Sequence, residues 1–175
     1  MFSSKSSRES GSFPEDKKIL VAYFSHSGNT QVIAHQINKN MGGDIFEIQS
    51  VQHYPVDYNS VVEVASQELR SGYMPALRSK IDNFNQYDII FIGYPCWWST
   101  FPAPVKTFFS ENDSSGKIII PFCTHEGSGL GRSVSDLKNL CPKAKVLDGL
   151  AIRGSYVKMA QNDIMMWLRR LGMTR

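Results

Sequence analysis

The sequence predicts an α/β protein built on a parallel, doubly wound sheet with helices on both faces. Three observations carry that expectation. Short apolar runs alternate along the chain with stretches of helical periodicity. The runs are continuous rather than alternating in polarity, as expected of parallel strands covered on both faces. The three most unusual loops each follow one of these runs, and in open α/β sheets a ligand sits outside the carboxyl ends of the strands, where the strand order reverses.

Taken in order, Met1 to Asp16 is rich in Ser, Gly and charge and has no apolar centre of the kind a signal peptide needs. It reads as a disordered tail or an expression remnant, leaving 17–175 as one domain. Lys17 to Phe24 is an apolar run too short for a helix and is taken as the first strand. After the polar stretch Ser25 to Thr30, Ala34, Ile37 and Met41 fall on one face of a helix that stops at Gly42-Gly43. Asp44 to Gln49 gives a second strand, and Pro55 to Arg70 carries Val61, Ala65 and Leu69 at helical spacing. Ser71 to Asn85 is irregular, broken by Gly72 and Pro75. Tyr87 to Tyr94 is the third and central strand, followed by a helix that buries Phe101, Val105, Phe108 and Phe109. Lys117 to Cys123 is the fourth strand, and the helix after it holds Leu130, Val134 and Leu137. Ala144 to Ile152 contains the fifth strand, and Val157, Ala160, Ile164, Trp167 and Leu171 keep the 3, 4, 3, 4 spacing of a final amphipathic helix.

Composition narrows the function classes. At 175 residues, with 42% hydrophobic and 20% charged residues, the chain is long enough to bury a core without staples. The net charge of +3 is spread along the sequence and forms no Lys/Arg block, so nucleic acid is not the expected partner. Cys96, Cys123 and Cys141 are too few and too far apart for a disulfide framework, and a reducing, cytoplasmic setting is inferred. His26, His35, His53 and His125 show no ligand spacing, so no metal is assigned. No apolar run is long enough for a membrane span.

The loops carry the chemistry. Ser25, Ser27 and Thr30 supply hydroxyls, Gly28 lets backbone approach closely, and the loop feeds a helix N-terminus that favours an anion. It is either a phosphate cradle or an ordinary N-cap by Ser27 or Asn29; it is not a P-loop, because Gly-Lys-Ser/Thr is missing. The second loop, Pro95-Cys96-Trp97-Trp98, delivers two adjacent tryptophans, which either cap the core or face a flat ligand. The third, Thr124 to Gly131, is glycine-rich, but Arg132 stands where a dinucleotide fingerprint needs its last glycine. His125 and Glu126 there read either as an acid/base pair or as a solvated turn. Jointly, a phosphate loop, an aromatic loop and a glycine-rich loop at one end of a sheet suit a ligand with a phosphate tail and a flat polar ring system, and flavin mononucleotide (FMN) is the obvious candidate.

These residues resemble the flavodoxin family. Ser-His-Ser-Gly-Asn-Thr after Ile-Leu-Val-Ala-Tyr-Phe is similar to its phosphate loop, Gly-Tyr-Pro-Cys-Trp-Trp to the flavin-facing loop of a branch with Gly-Tyr-Pro-x-Trp-Trp, and Pro-Phe-Cys-Thr-His-Glu-Gly-Ser-Gly to that branch's third flavin loop. The resemblance implies a three-layer flavodoxin-like fold with five parallel strands in the order 2-1-3-4-5, and FMN as cofactor. It implies that Ser25, Ser27, Gly28, Asn29 and Thr30 hold the phosphate, with His26 in the same loop counted among the cofactor-binding residues. Pro95, Cys96, Trp97 and Trp98 would line one side of the ring, and Thr124, His125, Glu126, Gly127 and Ser128 the other. Two departures accompany it: many carriers in the family are strongly acidic whereas this chain is mildly basic, and no aromatic lies in Thr124 to Leu130.

The function so implied is soluble electron transfer, with partner proteins or small donors and acceptors, no nucleic acid and no membrane, as a monomer or homodimer. The alternative is an NAD(P)H-dependent FMN or quinone reductase, with Ser71 to Asn85 shaping a pocket and Arg78 and Lys80 near a nicotinamide cofactor's phosphates. A flavin-free interaction module on the same fold is a further alternative. Cys96 is expected to make a packing contact, since no resolving cysteine is near it in sequence.

Overall fold

The computed structural model describes residues 16–173. Apart from its last residue, the expected N-terminal tail lies outside them. Six strands are present: β1 Ile19–Tyr23, β2 Asp44–Glu47, β3 Ile89–Pro95, β4 Ile118–His125, β5 Lys145–Val146 and β6 Leu150–Arg153. Five α-helices, α1 Asn29–Met41, α2 Tyr58–Ser71, α3 Ala103–Glu111, α4 Ser133–Leu140 and α5 Gln161–Arg170, fill the intervals. The strands form one sheet in the order β2-β1-β3-β4-β5, with β6 also paired to β4, and every strand pair is parallel. This is the flavodoxin-like order that the family resemblance implies.

Two departures from the expected elements have physical causes. The fifth strand is split in two. Lys117 and Ile119 of the β4 segment accept from Lys145 and Leu147 at 2.9 Å, so the odd residues of that segment face this edge. Two positions on, Pro121 faces it with no N–H to donate, and the ladder lapses there. Gly149 fills the gap, where an added Cβ would sit 3.0 Å from the Leu130 side chain and 3.1 Å from Pro121. The final helix is broken as well. Gly154–Met159 is a 3₁₀ turn, and α5 begins only at Gln161. Gln36 Nε2 donates to the Val157 carbonyl at 3.0 Å, taking up the acceptor that a continuous α-helix would offer to the Gln161 N–H. Val157, Ile164 and Trp167 are buried even so, because the expected apolar face survives the change of pitch.

The sheet has a core on each face. Ile19, Val21, Tyr23, Phe91, Ile120 and Phe122 pack with Ile33, Ile37, Ile164 and Trp167 of α1 and α5. Leu20, Ala22, Ile90, Ile92, Tyr94 and Cys123 pack on the other face with Val105 and Phe108 of α3 and Leu137 of α4. Successive residues alternate between the two clusters, as the period of a strand requires. Leu69, expected on the buried stripe of α2 with Val61 and Ala65, is instead exposed near the helix's C-terminus. Since all strands run the same way, the segments leaving β1, β3 and β4 emerge at one edge of the sheet. That edge carries the site.

Candidate functional site

The first loop is built to leave donors free. Ser25 Oγ turns inward and accepts from the Gly28 and Gln31 amides at 3.2 and 3.3 Å, which fixes the entry to α1. Gly28 stands at φ +97 with open space where a Cβ would be. Val32 N–H reaches the Gly28 carbonyl at 3.2 Å; among the described residues no acceptor is found for the Asn29 and Thr30 amides. No acidic residue occupies the first turn of α1. This donor set, without a carboxylate, at a helix N-terminus suits a phosphate. Thr30, expected as a phosphate ligand, is 1% exposed, and its hydroxyl is 2.8 Å from that of Thr124. Its side chain ties the first loop to the third. His26 Nε2 lies 2.8 Å from the Pro55 carbonyl, fixing the ring against the lead-in to α2.

The two tryptophans sit on a turn rather than in extended chain. Trp98 and Ser99 have φ of 55 and 62, and Trp97 and Thr100 exchange backbone hydrogen bonds of 3.0 and 3.2 Å. This is the two-residue hairpin geometry that favours Asn-Gly, and holding two non-glycine residues left-handed costs about 1–2 kcal/mol each. The surroundings hold it. Arg132 N–H donates to the Ser99 carbonyl at 2.7 Å, Thr100 Oγ1 donates to the Asp136 carboxylate, and Trp98 Nε1 donates to the Val62 carbonyl at 2.9 Å. Trp97 is half-buried, with edge-on contacts to Phe24, His26 and Tyr54 at centroid distances of 5.7, 5.5 and 5.3 Å. Trp98 is 52% exposed.

The third loop closes the opposite side. Cys96 N–H donates to the Thr124 carbonyl at 2.8 Å, so the second and third loops share the end of the ladder. His125 Nδ1 accepts from the Gly127 amide at 2.9 Å, which places the proton of the neutral ring on Nε2. Partial burial, followed by the charge of Arg153, pushes the His125 pKa below the usual histidine value, against the pull of Glu126. The ring is therefore held neutral, and of the two readings of His125 and Glu126, acid/base pair or solvated turn, the geometry gives a neutral donor beside a carboxylate. Ser128 Oγ bonds the Gly129 carbonyl of its own loop at 3.0 Å.

These segments enclose a cavity of 440 Å³. Ser27 and Asn29 line it from the first loop, with His26 beside them. Pro95, Cys96, Trp97 and Trp98 form one wall, and Thr124, His125 and Glu126 another. Ser25, Gly28, Thr30, Gly127 and Ser128 do not line it and act on loop shape instead. Val56, Tyr58, Val61 and Val62 complete the lining, and the sequence reading missed them. The available signal was Tyr58 and Val62, an i, i+4 apolar pair beside the core stripe of Val61 and Ala65. Arg78 lies in an adjoining hollow of 310 Å³ that shares His26 and Val56 with the main cavity. Its Nη2 is 3.0 Å from His53 Nε2; Lys80 lines neither cavity. Among the described residues no group of three or more potential metal ligands occurs, and no helix is long and apolar enough to cross a membrane.

Cys96 is the thiol of the cavity wall. The Cys123 thiol, able to turn its hydrogen from the Gly129 carbonyl to an ionised Cys96, lowers the Cys96 pKa to about 7, aided by the nearby Ser128 hydroxyl and the Arg132 charge and opposed by burial. Above that pH the thiolate predominates. Alkylation of Cys96 by iodoacetamide, followed by peptide mass spectrometry from pH 5 to 9, should reach half its maximal rate near pH 7. Cys141, whose pKa burial raises, should react only at higher pH than Cys96. A profile for Cys96 with the midpoint of an ordinary thiol, about 8.5, would show that the Cys123 contact does not form in solution.

Residues 18–171 match a family model described as flavodoxin. Among solved structures, a candidate flavoprotein from Bacteroides eggerthii is 34% identical, with a TM-score of 0.78 over 87% of this chain and 96% of that one. A second from Bacteroides uniformis is 30% identical, with a TM-score of 0.78 over 89% and 99%. A flavoprotein from Lactobacillus acidophilus, solved in complex with FMN, is 25% identical, with a TM-score of 0.69 over 82% and 97%. No curated protein matches the chain.

Proposed function

The chain belongs to the flavodoxin family, and on that premise we propose that it binds FMN at the carboxyl edge of its sheet and serves as an electron-transfer protein. The observation that carries the reading is the pairing of a helix N-terminus with no acidic residue in its first turn, whose Asn29 and Thr30 amides have no acceptor among the described residues, and a cavity walled by Trp97 and Trp98 on the same edge. The FMN complex of the Lactobacillus acidophilus flavoprotein supports the choice of cofactor. Asn29 and Thr30 amides, with the Ser27 hydroxyl, would hold the phosphate. Pro95 to Trp98 and Thr124 to Glu126 would flank the ring system. Bound there, FMN supplies one- and two-electron redox chemistry. The protein's own part is to exclude water with the tryptophan turn and Val62, to present the His125 Nε2–H as a neutral donor, and to set the local charge through Glu126 and Arg153. Partners in this reading are redox proteins or small electron donors and acceptors. With a net charge of +3, acidic partners are favoured over basic ones.

A second reading, an NAD(P)H-dependent FMN or quinone reductase, is supported by one feature. The hollow holding Arg78 adjoins the cavity through His26 and Val56, so a cation stands near enough to receive a second nucleotide's phosphate.

An anaerobic titration of FMN-loaded, desalted protein separates the two. The electron-transfer reading expects FMN to be retained, chemical reduction to proceed in two resolved one-electron steps, and NADPH to leave the visible spectrum unchanged. Bleaching by NADPH in a single two-electron step would overturn it in favour of the reductase, and the Arg78→Ala variant should then lose that response. Elution of all FMN on desalting would overturn both.

A further inference from the structure

We propose that Cys96 and Cys123 form a peroxide-oxidised thiol pair, closing to a disulfide beneath the cavity wall. The sequence separates them widely, but the fold does not. Cys123 lies opposite Tyr94 in the β3–β4 register, two positions before Cys96. Cys123 belongs to the core cluster on one face of the sheet, and Cys96 packs against that same cluster. Both sulfurs hold one dipeptide of the third loop: Cys123 Sγ donates to the Gly129 carbonyl at 3.5 Å and Cys96 Sγ to the Leu130 carbonyl at 3.7 Å. Each thiol has a single hydrogen, so when Cys96 ionises the Cys123 hydrogen can turn from the Gly129 carbonyl to the Cys96 sulfur, the contact that favours the Cys96 thiolate. The two differ in access as a reacting and a resolving thiol do. Cys96 lines the cavity, and Cys123 is 0% exposed behind it. Cys141 is buried elsewhere in the same layer, against the Leu137 turn at the end of α4.

The chemistry balances with hydrogen peroxide as the oxidant. The Cys96 thiolate attacks the O–O bond; an S–O bond forms, the O–O bond breaks, and one oxygen leaves as water after taking up a proton. Cys96 is then a sulfenic acid. The Cys123 sulfur loses its proton and attacks the Cys96 sulfur; an S–S bond forms, the S–O bond breaks, and a second water leaves. Two thiols are oxidised by two electrons in total and one peroxide is reduced to two waters.

Geometry says which part must yield. Two residues of offset on neighbouring parallel strands place Cα atoms roughly 8 Å apart, beyond the ~4.4–6.8 Å span of a disulfide. Closure therefore draws the backbone at Cys96, at the end of the ladder, towards Cys123. The segment that moves with it is the left-handed turn carrying Trp97 and Trp98, so the redox state of the pair sets the shape of the cavity.

The test is peptide mapping of the full chain, apo and without variants, after treatment with a small excess of hydrogen peroxide near pH 7.5. The expected product is a cross-linked pair of peptides containing Cys96 and Cys123 that has lost two hydrogens and is restored by dithiothreitol. In Cys123→Ser the expected product is a Cys96 sulfenic acid captured by dimedone, and in Cys96→Ser no oxidation of Cys123. The wild-type map stands even if either variant fails to fold. Progression of Cys96 to sulfinic acid with Cys123 still a free thiol would overturn the proposal, as would a disulfide involving Cys141, or no oxidation at Cys96.

Discussion

Gly131→Ala should lower the unfolding free energy by about 3 kcal/mol and sharply reduce FMN retention. Two separate costs meet at this position. Gly131 has φ +54, where a Cβ costs about 1–2 kcal/mol. That Cβ would also lie 2.3 Å from the Ser99 carbonyl oxygen and 2.7 Å from the Ser99 Cβ, and forcing extra atoms into a packed contact costs about 1–3 kcal/mol. The atom struck is backbone, so the clash cannot be relieved by a rotamer. Relief requires the tryptophan turn to withdraw from the third loop, which breaks the Arg132 N–H to Ser99 carbonyl bond. Gly129→Ala is the control. Gly129 has a similar φ of +61 but nothing within 4 Å of its Cβ, so it should lose only the conformational part, about 1–2 kcal/mol. Urea midpoints of both variants, with FMN dissociation constants by fluorescence quenching, check the pair. Equal destabilisation would show that the Ser99 contact yields freely and that the two loops are not locked together.

The same contact shows where sequence reading reached its limit. The parallel, doubly wound sheet and the edge bearing the three loops were legible because continuous apolar runs such as Lys17 to Phe24 can be satisfied only between two helical layers; the strand order came from the family resemblance alone. The break in the fifth strand was legible in principle, since Pro121 was visible, but its effect depends on which side its nitrogen faces, and that is a matter of register. The break before α5 was not legible, because it turns on Gln36 reaching a carbonyl 121 residues away. Within the site, residue types were read more easily than roles. Ser25 and Thr30 were expected to meet a phosphate through their hydroxyls; the structure spends both hydroxyls on loop geometry and leaves the Asn29 and Thr30 amides with no acceptor among the described residues. Hydroxyl-rich loops invite that error, because Ser and Thr bond local backbone as readily as ligand. The nearness of Cys96 and Cys123 was invisible for a simpler reason: parallel pairing joins residues far apart in sequence.

Trp98→Ala and Trp97→Ala should separate ligand contact from scaffold, with opposite balances of effect. Trp98 is half-exposed on the cavity wall, and its one polar bond is to the Val62 carbonyl. Its removal uncovers little core, so the urea midpoint should change by well under the value for Trp97. If FMN occupies the cavity as proposed, loss of an aromatic face beside the ring should cost about 1–3 kcal/mol, a rise in the dissociation constant of roughly 5- to 150-fold. Trp97 is placed differently. Three aromatic rings contact it edge-on, each such pair contributing about 0.5–1.5 kcal/mol beyond area burial, and His26 and Tyr54 depend on it for their packing. Trp97→Ala should therefore lower stability by about 2–4 kcal/mol, a little less than truncation of a fully buried tryptophan. Its effect on FMN then follows from the collapse of the wall rather than from a lost contact, and Trp97→Phe should restore most of both. Trp98→Phe should restore most of the affinity but not the bond to Val62, leaving an FMN off-rate faster than that of the unaltered chain. Urea unfolding of the apo proteins and stopped-flow FMN dissociation resolve the four cases. Unchanged affinity in Trp98→Ala would place the ring system against Val56 and the α2 residues Tyr58 and Val62 instead, and those residues would become the next to substitute.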